Sequence, residues 1–504
     1  MYFEGSFSTH WQYAVPVICI LTIVGAAASI WRQYQRLSHI KGPLLASCSP
    51  LWLFYHTCKG DVYLACEENL KRYGSPLRLA PNVITIDDPQ SYRIMTAPKS
   101  VWTRGDWFKG VKFDLRVDNI LSMTNEKQHA EMRLKLTPGY SGNDVPTLEQ
   151  DIDGRIVELK ELIAGNFISK GNSFDFAHVA HLFTLDVLTQ IGFGKALGFL
   201  TKNEDIFCLI QNTKQALPVL ELACHHPTIR RLLHHPLLAS LQPKATDKTG
   251  LGAVLGHAQQ TVNDRLDGTD TYKDMLGSFM KHGLSRVEMQ SESVLLMIAG
   301  ADSTATALRN TILYTISNPI VYSRLIKEID ETVAAGKAST PVITLAEAQD
   351  LPYLRAVVME GLRMFMPLVG LAGRQSPKGG ATLNGVYIPE GTQVGLSTYA
   401  MLRREALFGH DADTFRPERW LDGDPDFIQS MEKNHSLIFG SGRTSCLGKN
   451  IAMMELRKAV FEIFRSYDMV RVNPLDSITI RVNGAAVQKN MFVRAYHREA
   501  DVAP

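Results

Sequence analysis

The sequence predicts a mainly α-helical protein with a small β-rich subregion and one N-terminal transmembrane helix. Three features predict it: an uncharged apolar stretch from Trp11 to Trp31, long helical runs bounded by caps and prolines after Ser285, and a short Gly-rich stretch of strands and turns after Arg374. Each element follows in chain order.

Between Trp11 and Trp31 no residue is charged, and Tyr13 to Ala28 is mostly apolar, enough with its flanking aromatics to span a bilayer. Glu4 precedes the stretch while Arg32, Arg36 and Lys41 follow it, so the positive-inside rule puts the bulk of the chain on the cytosolic side. A cleaved signal peptide competes with this reading. Against it, the amino end lacks a basic region and no clear small-residue cleavage site follows. Residues 1–10 then read as a lumenal N-terminus and 11–31 as the anchor. Residues 32–50 read as a Pro/Gly hinge, broken by Lys41-Gly42-Pro43 and Ser49-Pro50, and 51–504 as one globular catalytic domain.

With 53 basic and 51 acidic residues the net charge is only +2, which gives no reason to invoke nucleic acid or a strongly charged substrate. The seven cysteines are odd in number and contain no C-x-x-C pair, which argues against a disulfide framework and for a reducing compartment. Asn434-His435-Ser436 matches a glycosylation sequon and is read as a chance match. Cys224-His225-His226 and His234-His235 are not read as a metal site, because each pair precedes a proline and no carboxylate or second cysteine completes a tetrahedral set.

Ser285 with Glu288 is a capping box, and Arg286 to Ser317 then reads as one long helix stopped by Asn318-Pro319. At 1.5 Å per residue it would be roughly 48 Å long, enough to cross a domain. Within it the apolar run Val294 to Ala299 meets Gly300, Ala301, Asp302, Ser303 and Thr304. Glycine costs about 1 kcal/mol in a helix and a buried carboxylate more, so this patch calls for a reason; a polar stripe toward solvent is the plain alternative.

Leu351-Pro352 opens another helix, stopped by Pro367, with Glu360 and Arg363 on one face. Alone, an i, i+3 pair is worth a few tenths of a kcal/mol. Arg419, in Phe415-Arg416-Pro417-Glu418-Arg419-Trp420, can close a three-residue charge network with them, a structural rather than catalytic set. Arg374, Lys378-Gly379-Gly380 and Asn384 to Thr392 read as short strands joined by turns.

The most informative segment is Phe439-Gly440-Ser441-Gly442-Arg443-Thr444-Ser445-Cys446-Leu447-Gly448, followed by a helical run from Lys449 to Ser466. Its glycines let backbone approach a flat ligand, and a cysteine at a helix N-terminus is favoured as thiolate, a metal donor. A dinucleotide fingerprint fails here, since Ser445 stands where the third glycine belongs and no clear strand precedes it. A buried, inert cysteine remains the plain alternative.

This decapeptide resembles the heme-binding signature of the cytochrome P450 family, with one departure: Arg443 lies one residue earlier than the family's arginine, and Thr444 holds that place. Gly448-Lys449-Asn450-Ile451-Ala452 is similar to the wording of a fungal subgroup that includes pisatin demethylase-like enzymes. The resemblance runs from about Lys41 to Arg498, is dense after Ser285 and is weak over the first 120 residues. It implies the P450 fold and heme b held by Cys446, with Phe439, Gly440 and Gly448 framing the loop. Arg443, Arg374 and the pair His129 and Arg133 are implied contacts of the heme propionates. Gly300 is implied to open a groove over the heme. Asp302, Ser303 and Thr304 are implied to activate oxygen, although the family usually has threonine at the position of Ser303.

The family's activity would be monooxygenation of a hydrophobic substrate, a fungal terpenoid, polyketide or alkaloid. Electrons would come from NADPH-cytochrome P450 reductase, with cytochrome b5 as a second donor, at an endoplasmic reticulum membrane crossed once. Lys449, Arg457 and Lys458 are candidates for the docking face. Val101 to Met123, a lid from Asp205 to Gln242, Leu296 to Ala301, Leu368 to Gly373 and Gly484 to Val487 are the implied pocket walls. Two other classes stay open: a heme-thiolate isomerase or dehydratase needing no reductase, and a non-catalytic heme carrier or gas sensor. Retention of Asp302 beside Ser303 argues against the first, and the proton relay and reductase face would be idle in the second.

Overall fold

Both halves of the predicted capping box form: the Ser285 hydroxyl accepts from the Glu288 amide at 3.3 Å, and the Glu288 carboxylate accepts from the Ser285 amide at 2.7 Å. The computed structural model describes residues 7–268, 272–474 and 478–498. From the cap, helix runs through Ile316, and Asn318 then caps the next helix, Pro319–Ala334. The long helix is not uniform, however. Leu296–Gly300 is a π-turn between the α-helical segments Arg286–Leu295 and Ala301–Ile316. Such bulges leave a carbonyl short of its regular partner and often mark functional sites.

Helix Phe176–Phe193 packs along the long helix and is buried around nearly its whole circumference, which its apolar sequence permits. Helices Pro352–Met364 and Lys449–Ser466 pack on other sides of the long helix. Together they enclose the main hydrophobic core.

The largest sheet has five strands in the order Leu77–Ala80, Val83–Ile86, Gln393–Leu396, Arg374–Gln375 and Thr103–Arg104. All its pairings are antiparallel except the central parallel one, between Val83–Ile86 and Gln393–Leu396. Sequence patterning locates strand signals only after Arg374. The sheet instead recruits three short strands from the first 104 residues, each too short for a periodic signal of its own. A separate hairpin joins Thr479–Asn483 to Ala485–Lys489.

The N-terminal helix spans Phe7–Arg36, and Ala14–Arg36 is long and apolar enough to cross a membrane. The first six residues of the proposed lumenal segment lie outside the described residues. The stretch read as a hinge is a packed joint. Leu37 and Ile40 are buried, the Arg78 amide donates to Lys41 O at 2.9 Å, and the Arg78 guanidinium donates to Gln33 O at 2.7 Å and Tyr34 O at 3.0 Å. A side chain at Gly42 would strike Arg78 O at 2.4 Å. The close approach of the chain to the strand at Arg78 leaves room there only for glycine.

Candidate functional site

Cys446 follows a loop whose shape depends on two glycines. Gly440 and Gly442 have φ of +74° and +56°, and a side chain at Gly442 would meet Thr96 O at 2.2 Å. The Cys446 amide donates to Phe439 O at 2.7 Å, which closes the loop and leads the chain toward helix Lys449–Ser466. The Lys449 ammonium lies 5.7 Å from the centre of the Phe439 ring. Cys446 is exposed, yet the protein around its sulfur raises the thiol pKa. The amides of Gly448 and Lys449 and the charge of Arg133 act in the opposite direction without prevailing. The helix-end effect read from sequence is therefore present but is outweighed by desolvation.

Four arginines converge beside this loop. Arg133 donates to Ser445 O at 2.7 Å and to its hydroxyl at 3.0 Å, and Arg374 donates to the Thr444 hydroxyl at 2.8 Å. Arg443 lies 3.4 Å from the Glu126 carboxylate and also donates to Trp102 O. The fourth, Arg104, carries no motif and sequence reasoning missed it. It is the cross-strand partner of Arg374, and both guanidiniums lie over the Phe108 ring, at 4.3 and 5.2 Å from its centre.

Among the described residues Arg104 Nε and Arg374 Nε and Nη1 are buried without a hydrogen-bond partner. His129 is buried among these groups. Burial, and then Arg104, Arg133, Arg374 and Arg443, hold its pKa down to about 3, so it is neutral. Two like charges directly opposite in a sheet repel, and donors buried without partners are costly. This set fits a ligand that brings carboxylates, as the two propionates of heme b do.

Behind the loop, Glu360 accepts from Arg363 at 2.8 and 2.9 Å, from Arg419 at 2.9 Å, from the Trp420 indole at 2.9 Å and from the Arg416 amide at 3.0 Å. The arginines' other donors reach the carbonyls of Leu402, Ala412, Thr414 and Phe408 and the Asp411 carboxylate. A fully buried triad satisfied on this scale fixes geometry rather than supplying chemistry.

On the long helix, the π-turn sits where small and polar residues follow the apolar run. A side chain at Gly300 would meet Leu188 at 2.8 Å, so this glycine admits the close approach of helix Phe176–Phe193. The Thr184 hydroxyl of that helix lies 3.0 Å from Ala301 O. The Ser303 hydroxyl donates to Ala299 O at 2.9 Å, and Thr304 is buried beside it. Asp302 Oδ1 lies 2.5 Å from Nε2 of His181, another residue that sequence reasoning missed. Burial opposes its charge, but His181, Arg309 and Lys214 hold its pKa below the usual carboxylate range.

The expected pocket walls meet one another. Val369 N donates to Gly484 O at 2.9 Å, Ala486 N donates to Pro367 O at 3.1 Å, and a side chain at Gly110 would strike Cys224 of the lid helix Leu209–His225. The docking-face expectation needs a correction. Lys458 is completely buried, 2.5 Å from the Glu149 carboxylate and 2.6 Å from that of Asp153. It is an internal ion, and Arg457 is half-buried, which leaves Lys449 as the exposed one of the three. Asn434 of the sequon is buried and accepts from Arg93, so the match does not mark a glycan.

The sequence profile of the cytochrome P450 family matches residues 46–490. The cytochrome P450 monooxygenase ABA1 of Pyricularia oryzae is 36% identical over 504 residues, covering 97% of this chain and 98% of the relative. The cytochrome P450 monooxygenase aba1 of Botryotinia fuckeliana is 36% identical over 90% of this chain and 91% of its own. At 29% identity, the cytochrome P450 monooxygenase gsfF of Penicillium aethiopicum covers 89% of this chain and 91% of its own.

Proposed function

The chain belongs to the cytochrome P450 family and is a monooxygenase, and from that premise we propose that it oxidises a hydrophobic secondary metabolite at a heme held by Cys446. One observation carries the cofactor assignment: Arg104 and Arg374 oppose each other across a strand pair with buried donors unused, beside the cysteine loop. Arg104, Arg133, Arg374 and Arg443 would hold the propionates, with His129 as a neutral neighbour.

When bound, the heme supplies oxygen activation and accepts electrons from outside the chain. The chain's own residues handle the protons and the substrate. Asp302 is the acid, held ionised in the resting protein, and the Ser303 and Thr304 hydroxyls offer donors one and two residues beyond it. Apolar segments around Leu296 to Ala301, Leu368 to Gly373 and Gly484 to Val487 exclude water and select a neutral, hydrophobic ligand such as a terpenoid, polyketide or alkaloid. NADPH-cytochrome P450 reductase is the electron donor at the endoplasmic reticulum membrane, with exposed Lys449 on its docking face.

The test is turnover with reductase and NADPH under isotopically labelled oxygen, with a mixture of fungal metabolites as substrate. A product that gains one labelled atom only with NADPH supports the reading and names the substrate. A product formed without label or NADPH would replace it with the isomerase reading.

A further inference from the structure

The C-terminal end of the N-terminal helix is bonded to the five-stranded sheet through two arginines. Arg78, on the strand Leu77–Ala80 and completely buried, donates to Gln33 O at 2.7 Å, to Tyr34 O at 3.0 Å and to Pro81 O at 2.9 Å. The last carbonyls of a helix lack their regular partners and form the negative end of its dipole, so a cation on the sheet caps helix Phe7–Arg36 from outside. Arg36 in turn donates to Asn82 Oδ1 at 2.7 Å, to the Thr392 hydroxyl at 3.4 Å and to Glu390 O. Just beyond, His39 Nε2 lies 2.8 Å from Tyr387 O, and Leu37 and Ile40 are buried in a core that includes Ile84, Trp102 and Val394.

The stretch apolar enough to cross a membrane, Ala14–Arg36, therefore runs straight into the joint, which begins at Gln33. No free residues remain between them to act as a swivel. Lys41 O accepts from the Arg78 amide at 2.9 Å, and three residues later the short helix Leu44–Cys48 starts. It packs on the N-terminal helix and on helix Leu51–Lys59, and both short helices pack on the strand Leu77–Ala80. The first buries Ala46 and Ser47 and leaves Leu44 and Leu45 at 75% and 51% exposure. The second exposes Leu51, Phe54 and Tyr55, whose i, i+3, i+4 spacing puts them on one face.

We propose that residues 33–42 are a clamp that holds the catalytic domain at one angle to the membrane, with the face formed by Leu44, Leu45, Leu51, Phe54 and Tyr55 resting on the lipid surface. Continuity with the span selects lipid as the occupant. A helix fixed beside the end of a membrane span lies at the level of the headgroups, where leucine and aromatic side chains gain from leaving water. The inference rests on the reading of Ala14–Arg36 as a membrane span.

The test uses the full chain in phosphatidylcholine vesicles containing a phospholipid with a photoreactive acyl chain, and neither readout needs heme. Lipid adducts should map to residues 14–30 and also to residues 44–55. Trypsin should cut after Arg36 and Lys41 several-fold more slowly than after Lys170, which lies in an exposed turn. Arg36→Ala should raise cleavage after Lys41 several-fold and lower the adducts on residues 44–55 relative to those on the span. Arg78→Gln should do both more strongly. Should that buried substitution prevent folding, Arg36→Ala, at an exposed position, still decides the question.

Adducts on the span with none on residues 44–55 would overturn the proposal, as would wild-type cleavage after Lys41 as fast as after Lys170, or an Arg36→Ala chain with the wild-type cleavage and adduct pattern. Crosslinks between two copies through residues 44–55, in place of lipid adducts, would overturn it by giving the face to a second copy. Absence of adducts on residues 14–30 would remove the span reading itself, and the proposal with it.

Discussion

Arg104 and Arg374 are direct cross-strand partners in the antiparallel pair Thr103–Arg104 and Arg374–Gln375, with the Phe108 ring beneath both. In the folded chain this is a cost, which a dianionic ligand would turn into affinity. Replacing Arg374 by leucine should then have opposite effects on two measurements. The ratio of heme to protein after purification should fall, with heme affinity lower by about tenfold or more, the worth of one charged hydrogen bond. Thermal unfolding of the heme-free protein should rise slightly or stay level. A fall in both would mean that Arg374 supports the fold instead.

Glu360→Gln should destabilise strongly, because Arg363 and Arg419 would each lose a buried carboxylate partner. The expected cost is about 3–5 kcal/mol, the usual consequence of leaving buried charge uncompensated. Its measure is the half-life of the thiolate-type carbonyl spectrum at raised temperature. A variant as durable as the wild type would show that the triad is dispensable.

The pair Glu360 and Arg363 is legible in sequence because an i, i+3 spacing puts both on one helix face, and the segment Phe415 to Trp420 offers Arg419 as the third member. What is not legible is the burial of Lys458. Its sequence neighbours Arg457 and Lys449 suggest a basic face, yet Glu149 and Asp153, some 300 residues away, draw it inside. Lys458→Met should therefore lower thermal stability with little effect on the reductase concentration needed for half-maximal turnover. Lys449→Glu should raise that concentration several-fold and leave stability unchanged. The reverse pattern would restore Lys458 to the surface.

Glu292 is buried on the long helix, and its carboxylate accepts from the Ile120 amide at 2.6 Å. Burial pushes its pKa up to about 8 against that hydrogen bond, so it is neutral at pH 7. A pKa raised by folding contributes stability that is present below the unfolded value of 4.5 and is lost as pH rises through about 8. Glu292→Gln should match the wild type in thermal midpoint near pH 5 and exceed it increasingly toward pH 8. Parallel curves across that range would mean that Glu292 does not titrate there.

By itself the sequence determined the features that are local along the chain. Among these are the capping box at Ser285, the proline stops at Pro319 and Pro367, the uncharged stretch from Trp11 to Trp31, and a loop in which Gly440 and Gly442 adopt left-handed backbone before Cys446. Such signals lie within a few residues, where capping, periodicity and φ preference act. Only the tertiary structure decided which distant charges meet. It set Arg104 against Arg374, turned Asp302 onto His181, tied Arg309 to the strand Ala485–Lys489, and packed the supposed hinge against Arg78. Those pairings depend on desolvation and close approach between segments tens to hundreds of residues apart, which no local pattern encodes.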